Sequence, residues 1–175
     1  ALATRGRPYV VIRGDWAERE AAALEARGGG VSMLASLADD EAKKEKGAKA
    51  AAVAKAAGLS PEAVIEQHLA AEYRVGMYGF APGYAYLSGV PEALQLPRKP
   101  KALRDIPAGS VLIAGPQCLV TTLTMPTGWS IIGRSPTEIL RNDPERPFLF
   151  DVGDRVRFAR IDRDRYETLC KGGTA

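Results

Sequence analysis

Residues 73–89 read YRVGMYGFAPGYAYLSG, and the reading of this stretch decides the fold. Tyr73, Val75 and Met77 alternate with Arg74, Gly76 and Tyr78, the two-residue period of a half-buried strand. The strand breaks at Gly79-Phe80-Ala81-Pro82-Gly83. Pro82 fixes its own φ and Gly83 can take φ > 0, which predicts a tight turn with glycine at its second central position. Tyr84, Tyr86 and Leu87 follow, and Gly89 closes the segment. Four of the chain's six tyrosines and one of its four phenylalanines fall here. Such an aromatic, glycine-broken loop either fills a core or walls a pocket while exposing backbone N–H groups, and both readings stand.

Toward the C-terminus, glycine and proline are dense and short apolar runs recur: VLIAG (111–115), CLVTTL (118–123), WSIIGR (129–134) and RVRFARI (155–161). That is the rhythm of an all-β barrel or sandwich. Turns at 107–110 (PAGS) and 151–154 (DVGD) each lead into a strand. In the last run Val156, Phe158 and Ile161 alternate with arginines, so one face is expected to be wet. RDRYETLC predicts a short final helix.

Toward the N-terminus the signals are helical. PYVVIR (8–13) reads as a strand, and residues 15–27 as a helix with Asp15 as N-cap. Residues 31–37 are an apolar patch of open type, and 38–50 an exposed helix or a loop. Gly58 ends one helix, Ser60 caps the next, and Pro61 takes its first position. Val64, Ile65, His68 and Leu69 then share a face. The fold class expected is α+β: mainly β, with a helical N-terminal portion. Residues 1–72 form a strand plus helical segment feeding into a β domain over 73–175, as one structural unit.

Length and composition set bounds. The chain has 175 residues, 46% hydrophobic and 26% charged, which suits one ordinary soluble domain. A formal charge of +3 is too small to argue for nucleic acid or a membrane surface. Helices around Gly58 have a helix-turn-helix look, but the second offers Glu62, Glu66 and Gln67 where phosphate-facing cations are wanted, so a DNA-binding reading is unfavoured. Cys118 and Cys170 lack CxxC spacing and there is one histidine, so no Cys/His metal site is expected within the chain. Two thiols suit a reducing cytoplasm. No apolar run approaches membrane-spanning length, and the start lacks a signal-peptide core. P-loop, GxGxxG and nucleophile-elbow patterns are missing, so no cofactor is expected on this chain alone.

LSPEAVIEQHLAAEYRV, GFAPGYAYLSGV, LPRKPKALRDIPAGSVLIAG and PTGWSIIGRSP with DVGDRVRF stand in an order and spacing that resemble the carboxyltransferase-like family over about Leu59 to Ile161. That family contains allophanate hydrolase subunit 1, the KipI sporulation regulator, the B subunit of 5-oxoprolinase and half of the urea carboxylase carboxyltransferase domain. The resemblance implies a cyclophilin-like β-barrel and a sister subunit or domain of related fold, the two making one site in a hetero-oligomer. It implies a carboxyltransferase or hydrolase part acting on a small urea-, amide- or lactam-type substrate, with biotin on a partner carrier or ATP entering through the complex. The alternative within the family is a KipI-like regulator that binds a histidine kinase. This sequence departs from the family at two places. The family usually has Thr-Gly-Ile-Tyr-Pro after its Gln and Ser-Pro-Gly-Gly-Trp before the next strand. Here Gln117-Cys118-Leu119-Val120-Thr121-Thr122 and Met125-Pro126-Thr127-Gly128-Trp129 stand instead.

The candidate catalytic residues are His68, Arg98 and Gln117. His68 titrates near neutrality and, by the resemblance, lies near the pocket. Arg98 offers a planar fork for a carboxylate or carboxyphosphate. Gln117 can pair with an amide as donor and acceptor together. Phe80, Pro82, Gly83, Tyr84, Tyr86 and Arg134 are the substrate-binding candidates, and no metal ligand is proposed. The loop 79–86, His68, Arg98 and Gln117 are expected to converge on one cleft.

Overall fold

A computed structural model of the chain describes residues 31–35 and 47–171. The strand expected at 8–13 and the helix at 15–27 lie outside the described residues. Among the described residues the strands are β1 (Val31–Ala35), β2 (Tyr73–Tyr78), β3 (Ala85–Ser88), β4 (Leu103–Ile106), β5 (Ser110–Ala114), β6 (Gln117–Val120), β7 (Met125–Thr127), β8 (Ser130–Arg134) and β9 (Arg155–Arg160). The helices are α1 (Gly47–Ala57), α2 (Pro61–Ala70) and α3 (Arg163–Cys170), with one 3₁₀ turn at Glu92–Leu94.

Seven strands make one sheet in the order β1-β9-β2-β3-β6-β5-β8, and β4 with β7 makes a separate two-stranded sheet. β1 runs parallel to β9, with Val31 opposite Val156, so the apolar patch at 31–35 is a strand. The other pairings are antiparallel. The mainly β class with helices toward the N-terminal side is therefore the observed one.

Local chemistry explains the elements. Ser60 Oγ accepts the Ala63 N–H at 3.1 Å and Pro61 opens α2, as a cap and first-turn proline should. Gly58, at φ +67°, gives α1 the left-handed exit that glycine takes without strain. The predicted turn at 81–84 is present. Tyr84 N–H donates to Ala81 O at 3.1 Å, Pro82 takes the first central position and Gly83 the second at φ +74°, a type II turn.

The pleat of β5 and β6 divides the interior in two. Val111, Ile113, Cys118 and Val120 point to one side, where Val53 and Ala54 of α1, Val64 and Ile65 of α2, and Tyr73, Val75, Leu87, Val156 and Phe158 complete a core. Leu112, Ala114 and Leu119 point to the other side and join Tyr84, Ile106, Trp129 and Ile131. The arginines of β9 lie at its half-exposed positions: Arg155 and Arg157 pair with Glu72, and Arg160 pairs with Glu62 of α2. α2 is thus committed to the sheet, with its apolar face in the core and Glu62 tied to β9.

Candidate functional site

The second side of the sheet opens as a cleft of about 130 Å³, lined by Phe80, Tyr84, Tyr86, Arg98, Leu112, Leu119, Thr121, Met125, Pro126, Thr127, Gly128 and Trp129. Its floor is the pleated surface of β5 and β6. One wall is the aromatic loop; the other is the β4–β7 sheet with the segment that carries Arg98.

Each side chain has a local reason to be there. Alternation along β3 sends Ala85 and Leu87 into the helix-side core, which turns Tyr84 and Tyr86 to the cleft. Tyr86 meets Trp129 with ring centroids 5.9 Å apart. Phe80 meets Tyr84 at the same separation. Arg98 is delivered by a long-range clamp: Lys99 N–H donates to Gly128 O at 2.7 Å, which lays residue 98 beside Trp129. The guanidinium carbon then sits 5.6 Å from the centre of the Trp129 ring, a cation–π stack. Among the described residues no carboxylate pairs with Arg98. The cleft therefore presents an exposed cation against aromatic walls, with the Thr127 hydroxyl at its edge. The Thr121 hydroxyl is engaged inside the fold, donating to Pro107 O and accepting the Ser110 N–H, both at 2.9 Å. Burial, helped by neighbouring Tyr86, pushes the Tyr84 phenol above its ordinary pKa, so it stays a neutral hydrogen-bonding group at physiological pH.

The structure brings Phe80, Tyr84, Tyr86 and Arg98 together, as expected. Pro82 and Gly83 shape the loop without lining the cleft. Thr122 Oγ1 donates to Pro82 O at 2.6 Å, and a Cβ at Gly83 would stand 2.9 Å from Thr122 Cγ2. Arg134 lies outside the cleft lining, where its Nη2 donates to Ala108 O at 2.8 Å and braces the 107–110 turn.

The expected convergence of His68 and Gln117 on the same cleft is not what the structure shows. His68 is fully buried on the helix side of the sheet. Its Nδ1 shares a 2.6 Å hydrogen bond with the Tyr73 hydroxyl, and its ring packs 4.4 Å from Phe158. Nε2 is buried without a partner among the described residues. Burial holds the imidazole pKa down at about 3, so it is a neutral core ring. The physical reason is position on α2: His68 falls one helical turn from Val64 and Ile65, and the face that packs on the sheet carries all three. Gln117 shares the cleft-facing parity of Leu119 and Thr121, yet it lies two residues beyond Leu119, at the hairpin end of β6 opposite Ser88 and Ala114. Cys118 is wholly buried, and burial pushes its thiol pKa well up, which makes it inert.

Trp129, Thr121, Leu112 and Leu119 were not among the sequence candidates. Trp129 carries a readable signal, a Gly-Trp pair directly before an apolar run. Leu119 and Thr121 carry another, because both fall in the stretch after Gln117 where this chain departs from the pattern it resembles. Thr121 takes the place of the usual tyrosine, so the departure lies on the cleft lining itself.

Among the described residues no group of three or more His, Cys, Asp or Glu side chains could hold a metal ion. No helix there is long and apolar enough to cross a membrane.

Comparison with known proteins places these features. Residues 43–150 match the family described as Carboxyltransferase domain, subdomain C and D. The B subunit of 5-oxoprolinase from Bacillus subtilis (strain 168) is 45% identical over 114 residues, covering 65% of this chain and 48% of its own length. The chain thus spans about half the length of the curated relatives it matches. Among solved structures, a conserved uncharacterized protein, PH0987 from Pyrococcus horikoshii, superposes with a TM-score of 0.71 at 35% identity, covering 86% of this chain and 66% of that one. The urea amidolyase of K. lactis superposes at 0.62 with 14% identity over 82% of this chain and 10% of its own, a likeness of fold. On the match over residues 43–150, supported by these relatives, the chain belongs to the carboxyltransferase domain family, subdomain C and D.

Proposed function

We propose that this chain is part of a subunit of a 5-oxoprolinase-type enzyme, and that its cleft holds a small lactam carboxylate while a sister subunit completes the site. The observation that carries this reading is the pairing in one cleft of aromatic walls with an exposed Arg98 that meets no carboxylate among the described residues. A lactam carboxylate such as 5-oxoproline has one anionic group and one flat amide. Arg98 can take the carboxylate through two parallel N–H donors. The rings exclude water from the amide, and the Tyr84 and Thr127 hydroxyls can meet its polar edge. An aromatic cage alone would also suit a cation, but the guanidinium over Trp129 repels one, so the charge selected is negative.

The exposure of the cleft supports the two-subunit part. Phe80 and Arg98 both stand in solvent at its lip, which leaves one side of a bound lactam for a second subunit to cover. The relatives, themselves named as one subunit of 5-oxoprolinase, support the same reading. The sequence has no phosphate-binding loop, so the ATP or carboxybiotin such complexes use would act from the partner side. Within this chain the residues orient the lactam, hold its carboxylate and keep the amide dry, which is positioning catalysis.

The test is co-expression with the sister subunit and assay of ATP-dependent opening of 5-oxoproline to glutamate. Activity should appear with both chains and be missing with either alone. Arg98→Lys should lower kcat/KM by about 10-fold or more despite its conserved charge, because a point charge cannot reproduce a bidentate fork. Full turnover by this chain alone, or an unaffected Arg98→Lys complex, would refute the reading.

A further inference from the structure

Phe80 is held at φ +68°. Across it, the Ala81 N–H donates to Gly79 O at 2.8 Å. An i to i+2 hydrogen bond around a residue with positive φ is the rare, strained hand of the γ-turn, and a bulky side chain in that region is an outlier. Glycine takes this conformation freely, yet the neighbouring Gly79 does not occupy the left-handed position and a phenylalanine does. The ring gains little from the fold in return, since Phe80 stays 76% exposed.

The loop cannot relax around it. Gly79 N–H donates to Tyr84 O at 3.2 Å, the type II turn follows at once, and Thr122 pins Pro82 from the far strand. A locked backbone thus presents a strained, solvent-exposed aromatic ring at the lip of the cleft that holds Arg98. Backbone strain of this kind persists where surrounding structure over-determines it, and it clusters at ligand clamps.

We propose that Phe80 is the specificity-determining wall of the cleft, a ring kept out of the protein's own core so that it packs on the flat amide face of a small lactam carboxylate. This rests on the ligand reading given above and adds the residue that recognises the uncharged half of the ligand. Arg98 would then select the charge, and Phe80 the planar ring. Thr122 is a positioning residue, acting through the Pro82 carbonyl to fix where Phe80 stands.

The experiment uses the full chain in complex with its sister subunit. 5-Oxoproline binding is followed by calorimetry, and the melting temperature of each variant chain is measured alongside. Phe80→Gly should melt about 2 °C higher, because the strain is relieved, and should bind 5-oxoproline roughly 10-fold more weakly. Phe80→Tyr, which keeps a ring at the same φ, should bind within about 2-fold of the parent and show no gain in melting temperature. A Phe80→Gly chain that melts lower would show the ring to be structural and overturn the proposal. So would unchanged 5-oxoproline affinity in Phe80→Gly, or unchanged affinity with loss of the partner, which would make the ring a protein contact. If the parent complex binds no 5-oxoproline, the ligand reading itself fails and the proposal falls with it, an outcome distinct from a parent that binds and a variant that binds equally.

Discussion

The two sides of the seven-stranded sheet share strands, register and backbone geometry, yet one is a sealed core and the other an open cleft. Successive residues of β5 and β6 go to opposite sides. The difference lies in what covers each side. Two helices cover the first and exclude water, so even its histidine is held neutral. The two-stranded β4–β7 sheet and a proline-rich segment cover the second incompletely, leaving Phe80 in solvent and the Arg98 guanidinium with no carboxylate among the described residues. In this fold a side chain's prospects for chemistry depend on which side its pleat or helix turn assigns it, more than on its residue type.

That comparison can be broken most directly by truncation. Leu87 and Tyr86 are neighbours on β3 facing opposite sides, Leu87 buried in the helix-side core and Tyr86 half-buried in the cleft. Leu87→Ala should cost about 2–5 kcal/mol, the range for a large-to-small change in a packed core. Tyr86→Ala should cost roughly 1 kcal/mol, since solvent can fill the space it leaves. Urea unfolding of both variants tests this, and equal costs would mean that the cleft side is as tightly packed as the other.

His68 sharpens the comparison through pH. Its pKa in the folded chain is about 3, and an unfolded histidine titrates near 6.5. Above about pH 6.5 both states are neutral and nothing is lost. As pH falls below that value the unfolded chain takes a proton that the folded chain refuses, so stability declines by about 1.4 kcal/mol per pH unit until the folded form titrates as well. Between pH 6.5 and 4 the loss from this one ring is roughly 3 kcal/mol. His68→Asn keeps an amide that can pair with the Tyr73 hydroxyl but cannot titrate. Its unfolding free energy should therefore fall less steeply over that range, with the carboxylates common to both proteins cancelling. Parallel pH profiles would place His68 in contact with solvent.

Much of the fold was legible because its signals are local. Ser60-Pro61, Pro82-Gly83 and the alternation over Arg155–Phe158 each determine structure within a few residues and appear as expected, whereas Ala159 is buried beside Phe158 and Ile161 falls past the end of β9. The aromatic wall and Arg98 were legible for the same reason, with a motif supplying the link between them. The assignment of His68 was not. Its spacing from Val64 and Ile65 gives its face on the helix, but the side of the sheet that this face meets is settled by packing between α2 and β9, which no local pattern encodes. Trp129 stands inside a recognisable motif, yet nothing local marks it as a ligand-facing ring. Its role depends on the Lys99–Gly128 hydrogen bond, a contact between residues far apart in sequence.

Gln117 is the finest test, because it separates the cleft's floor from the strand that carries it. By parity it faces the same side as Leu119 and Thr121, but two residues of strand, about 7 Å, stand between it and the nearest floor residue on β6. Its backbone serves the ladder, pairing with Ala114 and Ser88, and truncation leaves that ladder intact. The side chain is half-exposed, so removing its amide strands no buried group. Gln117→Ala should accordingly change stability by no more than about 0.5 kcal/mol and leave 5-oxoproline affinity within about 2-fold, against the roughly 10-fold loss set for Phe80→Gly. Calorimetry on the two variants side by side decides it. A large loss at Gln117 would mean that the ligand runs along β6 to the hairpin at Gly115, and the cleft would have to be redrawn as a groove spanning the full length of that strand.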